Sequence, residues 1–434
     1  MRTLFSIPIN QDKSIVYAPL RGVILKTGAY ANELVQKIES GEKLSIQEKE
    51  SAIFKTLQSH GVLQTEKSLK QIAIDESADF EPTKLTIIPT EGCNLGCTYC
   101  YASAVPRKDK ISWELVKKGV DQVIANTVKK NEGNIKITFY GGGEPTIHFD
   151  LLQQTVEYAE AKAQNLKVYT TIVTNGTLLD ETRVKWLRLH GVTLSLSFDV
   201  LPDVQHFQRP YANGKNSHKK VMKTIELLQK HGVKFGIRAT VTENNLLSMV
   251  ETVDFIHEYL PNVNRVQLEP STVIGRSFET GTYSPYQEVF VKEFLKAYEY
   301  GKKLGVKVRC SMSDMLGRVK ARACMPEFTV TSNNTISACH RYSKPDTPNA
   351  RVFTYGQFSP ETKKWEIDQD KYKSILKANV HNYAGCKDCF ARFNCAGDCL
   401  STRVSQDKIE PEGQRCYMVR EFLKASLLEK IENS

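Results

Sequence analysis

No stretch of this chain stays apolar for the ~18–20 residues that a membrane-spanning helix needs, so an integral helical membrane protein is not expected. The opening residues, MRTLFSIPINQDKSIVYAPL, lack the apolar centre and small-residue cleavage site of a secretory signal. A cytoplasmic location is therefore expected. Blocks of like charge are missing as well: 59 Lys and Arg are intermixed with 49 Asp and Glu, and the net charge of +10 is spread along the sequence. No nucleic-acid-binding motif accompanies that charge, so nucleic acid is not an expected partner. A solvated basic surface accounts for it, and so does an acidic peptide partner. Cysteine, in contrast, is plentiful, with eleven residues. Cytosolic thiols stay reduced, which points these cysteines to metal rather than to disulfides.

At 434 residues the chain exceeds the usual size of one domain. Three regions are expected: 1–82, 83–309 and 310–434. The first carries two short strand patterns, Ser14–Tyr17 and Gly22–Leu25, separated by Pro19. A helical pattern with Leu34 and Ile38 follows and stops at Gly41, and a second helix is expected over Ile46–His60. This mixture fits a small winged-helix-like module. Residues Asp75–Thr83, DESADFEPT, read as a polar linker.

From Lys84 to Cys310 strand and helix patterns alternate. Strands are expected at Leu85–Pro89, Ile135–Tyr140, Lys167–Thr174, Thr193–Phe198, Phe235–Val241 and Val266–Leu268. Helices are expected at Ser112–Lys129, Leu151–Ala163, His218–His231 and Tyr286–Leu304. Repeated βα units imply a parallel sheet with right-handed crossovers, here a partial (β/α)6 barrel in an α/β fold. Its ligands belong at the C-terminal ends of the strands. Beyond Cys310 the periodicity breaks, eight cysteines gather, and a last helix is expected over Arg415–Ile431. A cysteine-dense, loop-rich segment of this kind can depend on metal for its fold.

Cys93, Cys97 and Cys100 follow the first barrel strand with the spacing C-x3-C-x2-C. Three thiolates on one loop can hold three irons of a [4Fe–4S] cube and leave the fourth open to an outside ligand. Zinc is the alternative, but structural zinc sites close with four protein ligands, and no fourth lies nearby. Further on, FYGGGEPT ends the second strand and offers Glu144 beside glycines; no G-K-[ST] follows, so it is not a phosphate loop. Among the C-terminal cysteines, Cys386, Cys389, Cys395 and Cys399 read C-x2-C-x5-C-x3-C. Cys310, Cys324 and Cys339 precede them and Cys416 follows. Eight thiolates suit two four-thiolate centres of zinc or of iron and sulfide, and counting does not decide.

The opening cysteine spacing on this loop closely resembles that of the radical S-adenosylmethionine (radical SAM) superfamily. The resemblance implies that SAM chelates the fourth iron and is cleaved by one electron to methionine and a 5′-deoxyadenosyl radical, which takes hydrogen from a substrate. It implies SAM contacts at Tyr99, near the adenine; at Gly142, Gly143 and Glu144, a Gly-Gly-Glu motif; at Thr174 and Asn175; at Ser197 and Asp199; and at Arg238. The segment Val266–Pro270, VQLEP, resembles the sixth-strand adenine contact. The sequence departs from the family where Val200 replaces a usual glycine after Asp199.

The C-terminal cysteines resemble the SPASM domain of radical SAM enzymes that mature peptides and sulfatases. That resemblance implies two auxiliary [4Fe–4S] clusters, three clusters in all. The first auxiliary set would be Cys310, Cys324, Cys339 and Cys399, and the second Cys386, Cys389, Cys395 and Cys416. Asn334 stands where a glycine is usual, and asparagine is the next best residue for a left-handed turn. Such relatives act on ribosomally made peptides, closing thioether or carbon–carbon cross-links, or on sulfatases, making formylglycine. Sulfatase maturases carry Asp after the third cysteine of the first auxiliary set, whereas this chain has His340, a candidate base near neutral pH. The first 82 residues resemble leader-recognition modules. The expected partners are therefore a precursor peptide with its leader and an electron donor such as flavodoxin or ferredoxin.

Overall fold

The computed structural model describes residues 2–63, 72–282 and 284–433. The chain divides into two compact units: residues 79–311 with 326–375, and residues 1–78 with 312–325 and 376–434. No described helix is long and apolar enough to cross a membrane.

In the smaller unit, strands β1 (Phe5–Pro8), β2 (Lys13–Ala18) and β3 (Val23–Gly28) form an antiparallel sheet in that order. The sequence reading located the second and third strands and passed over the first. The helix Ala29–Ser40 ends at Gly41, whose φ of 76° closes it in the left-handed conformation. The helix expected over Ile46–His60 is two helices, Ile46–Glu50 and Ala52–Ser59. Ser51 breaks it: its ψ of 146° leaves the helical region, and its side chain then caps the second helix by accepting from Phe54 N. Buried Leu4, Val16, Val23, Leu34, Val35 and Leu57 hold this module together.

The module shares its unit with most of the C-terminal cysteines. Tyr17 donates from its hydroxyl to Asn394 Oδ1 at 2.7 Å, and burial pushes that phenol up to about 12. Leu20, Ile72 and Ile74 pack with Ala321, Val380, Tyr383 and Phe393 in one apolar cluster. The region 310–434 is thus divided between the two units.

The larger unit is the expected parallel barrel. Strands β4 (Lys84–Ile88), β5 (Asn134–Phe139), β6 (Lys167–Thr174), β7 (Thr193–Ser197), β8 (Phe235–Val241) and β9 (Arg265–Pro270) pair in parallel in chain order. A seventh parallel strand, β10 (Lys307–Arg309), extends the β9 edge. Alternate residues Ile135, Ile137 and Phe139 are fully buried, as are Leu196, Val266 and the helix residues Leu115, Val120 and Val123. On the other edge β11 (Thr329–Thr331) pairs in parallel with β4, and β12 (Thr335–Ser337), β13 (Thr354–Ser359) and β14 (Lys364–Ile367) continue it antiparallel. Asn334 takes the left-handed turn before β12 with φ 59°. Phe80, inside the segment read as a linker, packs edge-on against Phe328, Tyr355 and Tyr372. Its ring therefore anchors the start of the barrel to the hairpin strands. Phe80→Ala should destabilise this unit by about 2 kcal/mol, read as a fall in the urea midpoint; an unchanged midpoint would show that the contact carries no stability.

Candidate active site and metal centres

A cavity opens at the C-terminal ends of the barrel strands, lined by the loops after β4, β5 and β6 and by residues of β7, β8 and β9. The three cysteines of the first loop are on its wall. That loop is fixed by backbone bonds on both sides: Cys93 N to Val105 O at 3.0 Å, Gly96 N to Pro210 O at 2.8 Å and Thr98 N to Gln208 O at 3.0 Å. Arg276 donates through Nη1 to Cys97 O at 2.8 Å and through its backbone N to Cys100 O at 2.9 Å. Burial pushes the Cys93 thiol far up and the Cys97 thiol up to about 11. Such thiols give up their protons to a metal rather than to water.

Gly142 and Gly143 allow the second loop to touch the first. A Cβ on Gly143 would stand 1.8 Å from Gly92 O, and one on Gly142 2.2 Å from Glu91 Oε2. Glu144 is buried between the loops. Its Oε1 accepts from Thr146 N (3.0 Å), Thr146 Oγ1 (2.6 Å) and Thr174 Oγ1 (2.6 Å), and its Oε2 from Asn175 N (2.7 Å). Burial pushes its carboxyl up against the pull of these donors. Asn175 Nδ2 reaches Asn94 Oδ1 at 3.0 Å and Cys93 Sγ at 4.0 Å. The site residues Tyr99, Gly142, Gly143, Glu144, Thr174, Asn175, Ser197 and Arg238 all line the one cavity.

Asp199 takes a different place. It is buried behind Tyr99, whose hydroxyl donates to Asp199 Oδ2 at 2.6 Å. Gln208 Nε2 donates to the same oxygen and Thr240 N to Oδ1, while Arg209 Nε forms an ion pair at 3.1 Å. The Arg209 guanidinium also lies over the Tyr99 ring at 5.1 Å and 4.0 Å from Cys97 Sγ. Asp199 thus sets Tyr99 and Arg209 instead of forming the cavity wall. Sequence reasoning missed Arg209 because nothing in HFQRPY distinguishes it locally.

His340 stands one layer out from the cavity. Its ring stacks on Tyr140 at 3.8 Å, and its Nδ1 lies 3.2 Å from both Glu327 oxygens. Burial raises the Glu327 carboxyl, but the His340 charge and hydrogen bonds overcome this and hold it below the usual carboxylate range. Tyr140 and Arg341 occupy the cavity wall itself, and neither was singled out from sequence.

Among the C-terminal cysteines, Cys386, Cys389, Cys395 and Cys416 all belong to the smaller unit. Arg403, fully buried, donates toward Cys386 Sγ at 3.5 Å and Cys416 Sγ at 3.8 Å. Burial first, then the charge of Asp398 and after it the neighbouring thiols of the set, pushes Cys395 up. Cys324 and Cys399 lie in the same unit, and Cys310 and Cys339 in the larger one. No three His, Cys, Asp or Glu side chains among the described residues converge as a single ion would require. A four-iron cube bonds each thiolate at a different corner and does not ask for that convergence. Soft thiolate donors met by arginine and amide groups suit iron–sulfur ligation.

Residues 87–256 match the Radical SAM superfamily. The chain is 25% identical over 361 residues to a cysteine-type anaerobic sulfatase-maturating enzyme of Clostridium perfringens, covering 79% of this chain and 95% of that protein. Its fold is similar to the solved structure of anSMEcpe with bound AdoMet, at 22% identity and a TM-score of 0.61, covering 81% of this chain and 100% of that one. It is also similar to Streptococcus suis SuiB bound to S-adenosylmethionine, at 17% identity and a TM-score of 0.54, covering 96% of this chain and 99% of that one.

Val200, where the resemblance expects glycine, has φ 67° and is fully buried. A β-branched residue in that region is strained by about 1–3 kcal/mol. Two bonds hold it: His218 Nε2 lies 2.9 Å from Val200 O, and Leu201 N donates to Asp199 O. Val200→Gly sheds the strain while losing packing; Val200→Ala keeps most of the strain and loses packing too. Chemical unfolding should find the glycine variant the more stable by about 1 kcal/mol, and the reverse order would contradict the strain.

Proposed function

We propose that this chain is a radical SAM enzyme that matures a ribosomally made precursor peptide by abstracting hydrogen and closing an intramolecular thioether or carbon–carbon cross-link. The family implies a [4Fe–4S] cluster and SAM. Bound there, they supply a 5′-deoxyadenosyl radical that abstracts hydrogen. The observation that carries the peptide reading is the three-stranded module at the N-terminus. SuiB, one of whose structures is of the protein bound to precursor peptide SuiA, covers 95–96% of this chain, whereas anSMEcpe covers 81%. The uncovered fifth is about the size of that module. Its β1 and β3 are sheet edges, and a peptide leader can bind such an edge as an added strand.

The chain's own residues divide the work. Cys93, Cys97 and Cys100 would hold three irons. Glu144, Thr174 and Asn175 fix the loops around them, and Arg238 offers a guanidinium that suits a carboxylate. Asp199 and Arg209 immobilise Tyr99 beside the cysteine loop. Glu327 accepts from His340 Nδ1 and so fixes that ring against Tyr140. Cys386, Cys389, Cys395 and Cys416, two of them met by Arg403, would hold an auxiliary four-iron cluster, which would offer a route for an electron. A flavodoxin or ferredoxin would supply the reducing electron.

Sulfatase maturation is the second reading, supported by the relative whose length this chain covers to 95%. The two separate in one anaerobic assay with reconstituted enzyme, SAM, dithionite and two peptides. One is the product of any short reading frame found beside the gene, and the other is a sulfatase-derived cysteine peptide. The proposal expects the first to lose two hydrogens and to stop fragmenting between the joined residues. Conversion of the second to formylglycine, with the first unchanged, would overturn it. Deleting residues 1–78 is not a clean test, because it would also remove Leu20, Ile72 and Ile74 from a core shared with Val380 and Phe393.

A further inference from the structure

Three guanidinium groups line the cavity: Arg209, Arg238 and Arg341. Two have evident electrostatic partners. Arg209 is paired with Asp199 at 3.1 Å. Arg238 donates to the Tyr140 hydroxyl at 3.3 Å and feels the charge of Glu269. Arg341 differs. Among the described residues its hydrogen-bond partner is a neutral hydroxyl, Thr272 Oγ1, at 3.2 Å from Nη1.

One hydroxyl fixes one edge of the guanidinium and leaves most of its five N–H donors unspent. A guanidinium on a cavity wall whose protein hydrogen-bond partner is a neutral hydroxyl is free to take a carboxylate, which it meets with two parallel bonds. The nearby carboxylates are engaged elsewhere: Glu327 accepts from the backbone N and Nδ1 of His340, and Glu269, on the same cavity wall, accepts from Gln267 and Ser311. Whatever fills the cavity beside Arg341 is therefore expected to bring the carboxylate with it.

We propose that Arg341 is the receptor for a carboxylate of the substrate peptide, an Asp or Glu side chain close to the residue that is modified. This rests on the peptide-maturase reading and adds to it a substrate class, a peptide acidic at one position near its modified residue. SAM also carries a carboxylate, for which Arg238 is the candidate, so the test must tell the two sources apart.

Reconstituted, SAM-loaded full-length enzyme would be immobilised and used to select from a random-peptide display library. Wild type, Arg341→Met and Arg341→Lys would be run in parallel, with SAM affinity measured on each by equilibrium dialysis. The wild-type pool should be enriched in Asp or Glu at one position. Arg341→Met should lose that enrichment by about tenfold, Arg341→Lys should keep part of it, and SAM affinity should stay unchanged in both. Equal acidic enrichment with Arg341→Met would assign the effect to the chain's overall charge of +10 and overturn the proposal. Lost SAM affinity in Arg341→Met would assign the carboxylate to SAM and overturn it likewise. Enrichment of non-acidic peptides overturns this proposal alone. A wild-type pool no different from the bare matrix overturns the peptide-substrate reading and this inference with it.

Discussion

A buried carboxylate must be answered by fixed donors, and the way Glu144 is answered organises the centre of this enzyme. Leaving such a charge unpaired would cost several kcal/mol. Four donors meet it, from Thr146, Thr174 and the backbone of Asn175. These lie on the loop after β5, at the last residue of β6 and just beyond it, so the carboxylate binds the two segments together. The third loop is added through backbone contact, with Glu144 N donating to Gly92 O at 2.8 Å. That approach is open only because Gly143 has no side chain. The position of the three cysteines thus follows from a hydrogen-bond requirement one layer beneath them.

A second layer acts through Asp199. It gathers Tyr99, Arg209, Gln208 and the Thr240 amide around one carboxylate. It does so from a strained turn, since the next residue is valine in a left-handed conformation. Strain of this kind persists where surrounding contacts over-determine the backbone. The smaller unit uses charge in the same way. Arg403 is buried with carbonyls of Gly397 and Pro411 and the sulfurs of Cys386 and Cys416 around it.

The barrel was readable because its strands are apolar runs of the right length, bounded by turns, and alternate with helices of clear period. β4 to β9 fall within a residue or two of where the pattern puts them. The cysteine spacings stand out for a chemical reason: thiolates at fixed short intervals have few uses besides metal ligation. Asn334 was readable because its side chain tolerates the turn it makes. Other features left no local trace. The break at Ser51 depends on one side chain capping a helix that could equally have continued through it. Strands β11, β12 and β14 are short, so their own periodicity is weak. Arg209, Arg341 and Arg403 are single polar residues whose roles come from contacts far along the chain. Asp199 shows the limit of a motif, which placed it at the site but not on which side of Tyr99 it acts.

The central claim is that Cys93, Cys97 and Cys100 hold a cluster with one iron open to SAM. The direct test is the electron paramagnetic resonance spectrum of the dithionite-reduced enzyme before and after SAM is added, in wild type and in a variant with all three cysteines changed to alanine. The account predicts a SAM-dependent change of signal in the wild type and its loss in the variant, which should keep iron bound by its other cysteines. A SAM-dependent change that survives in the variant would place the SAM-binding iron elsewhere and contradict the account.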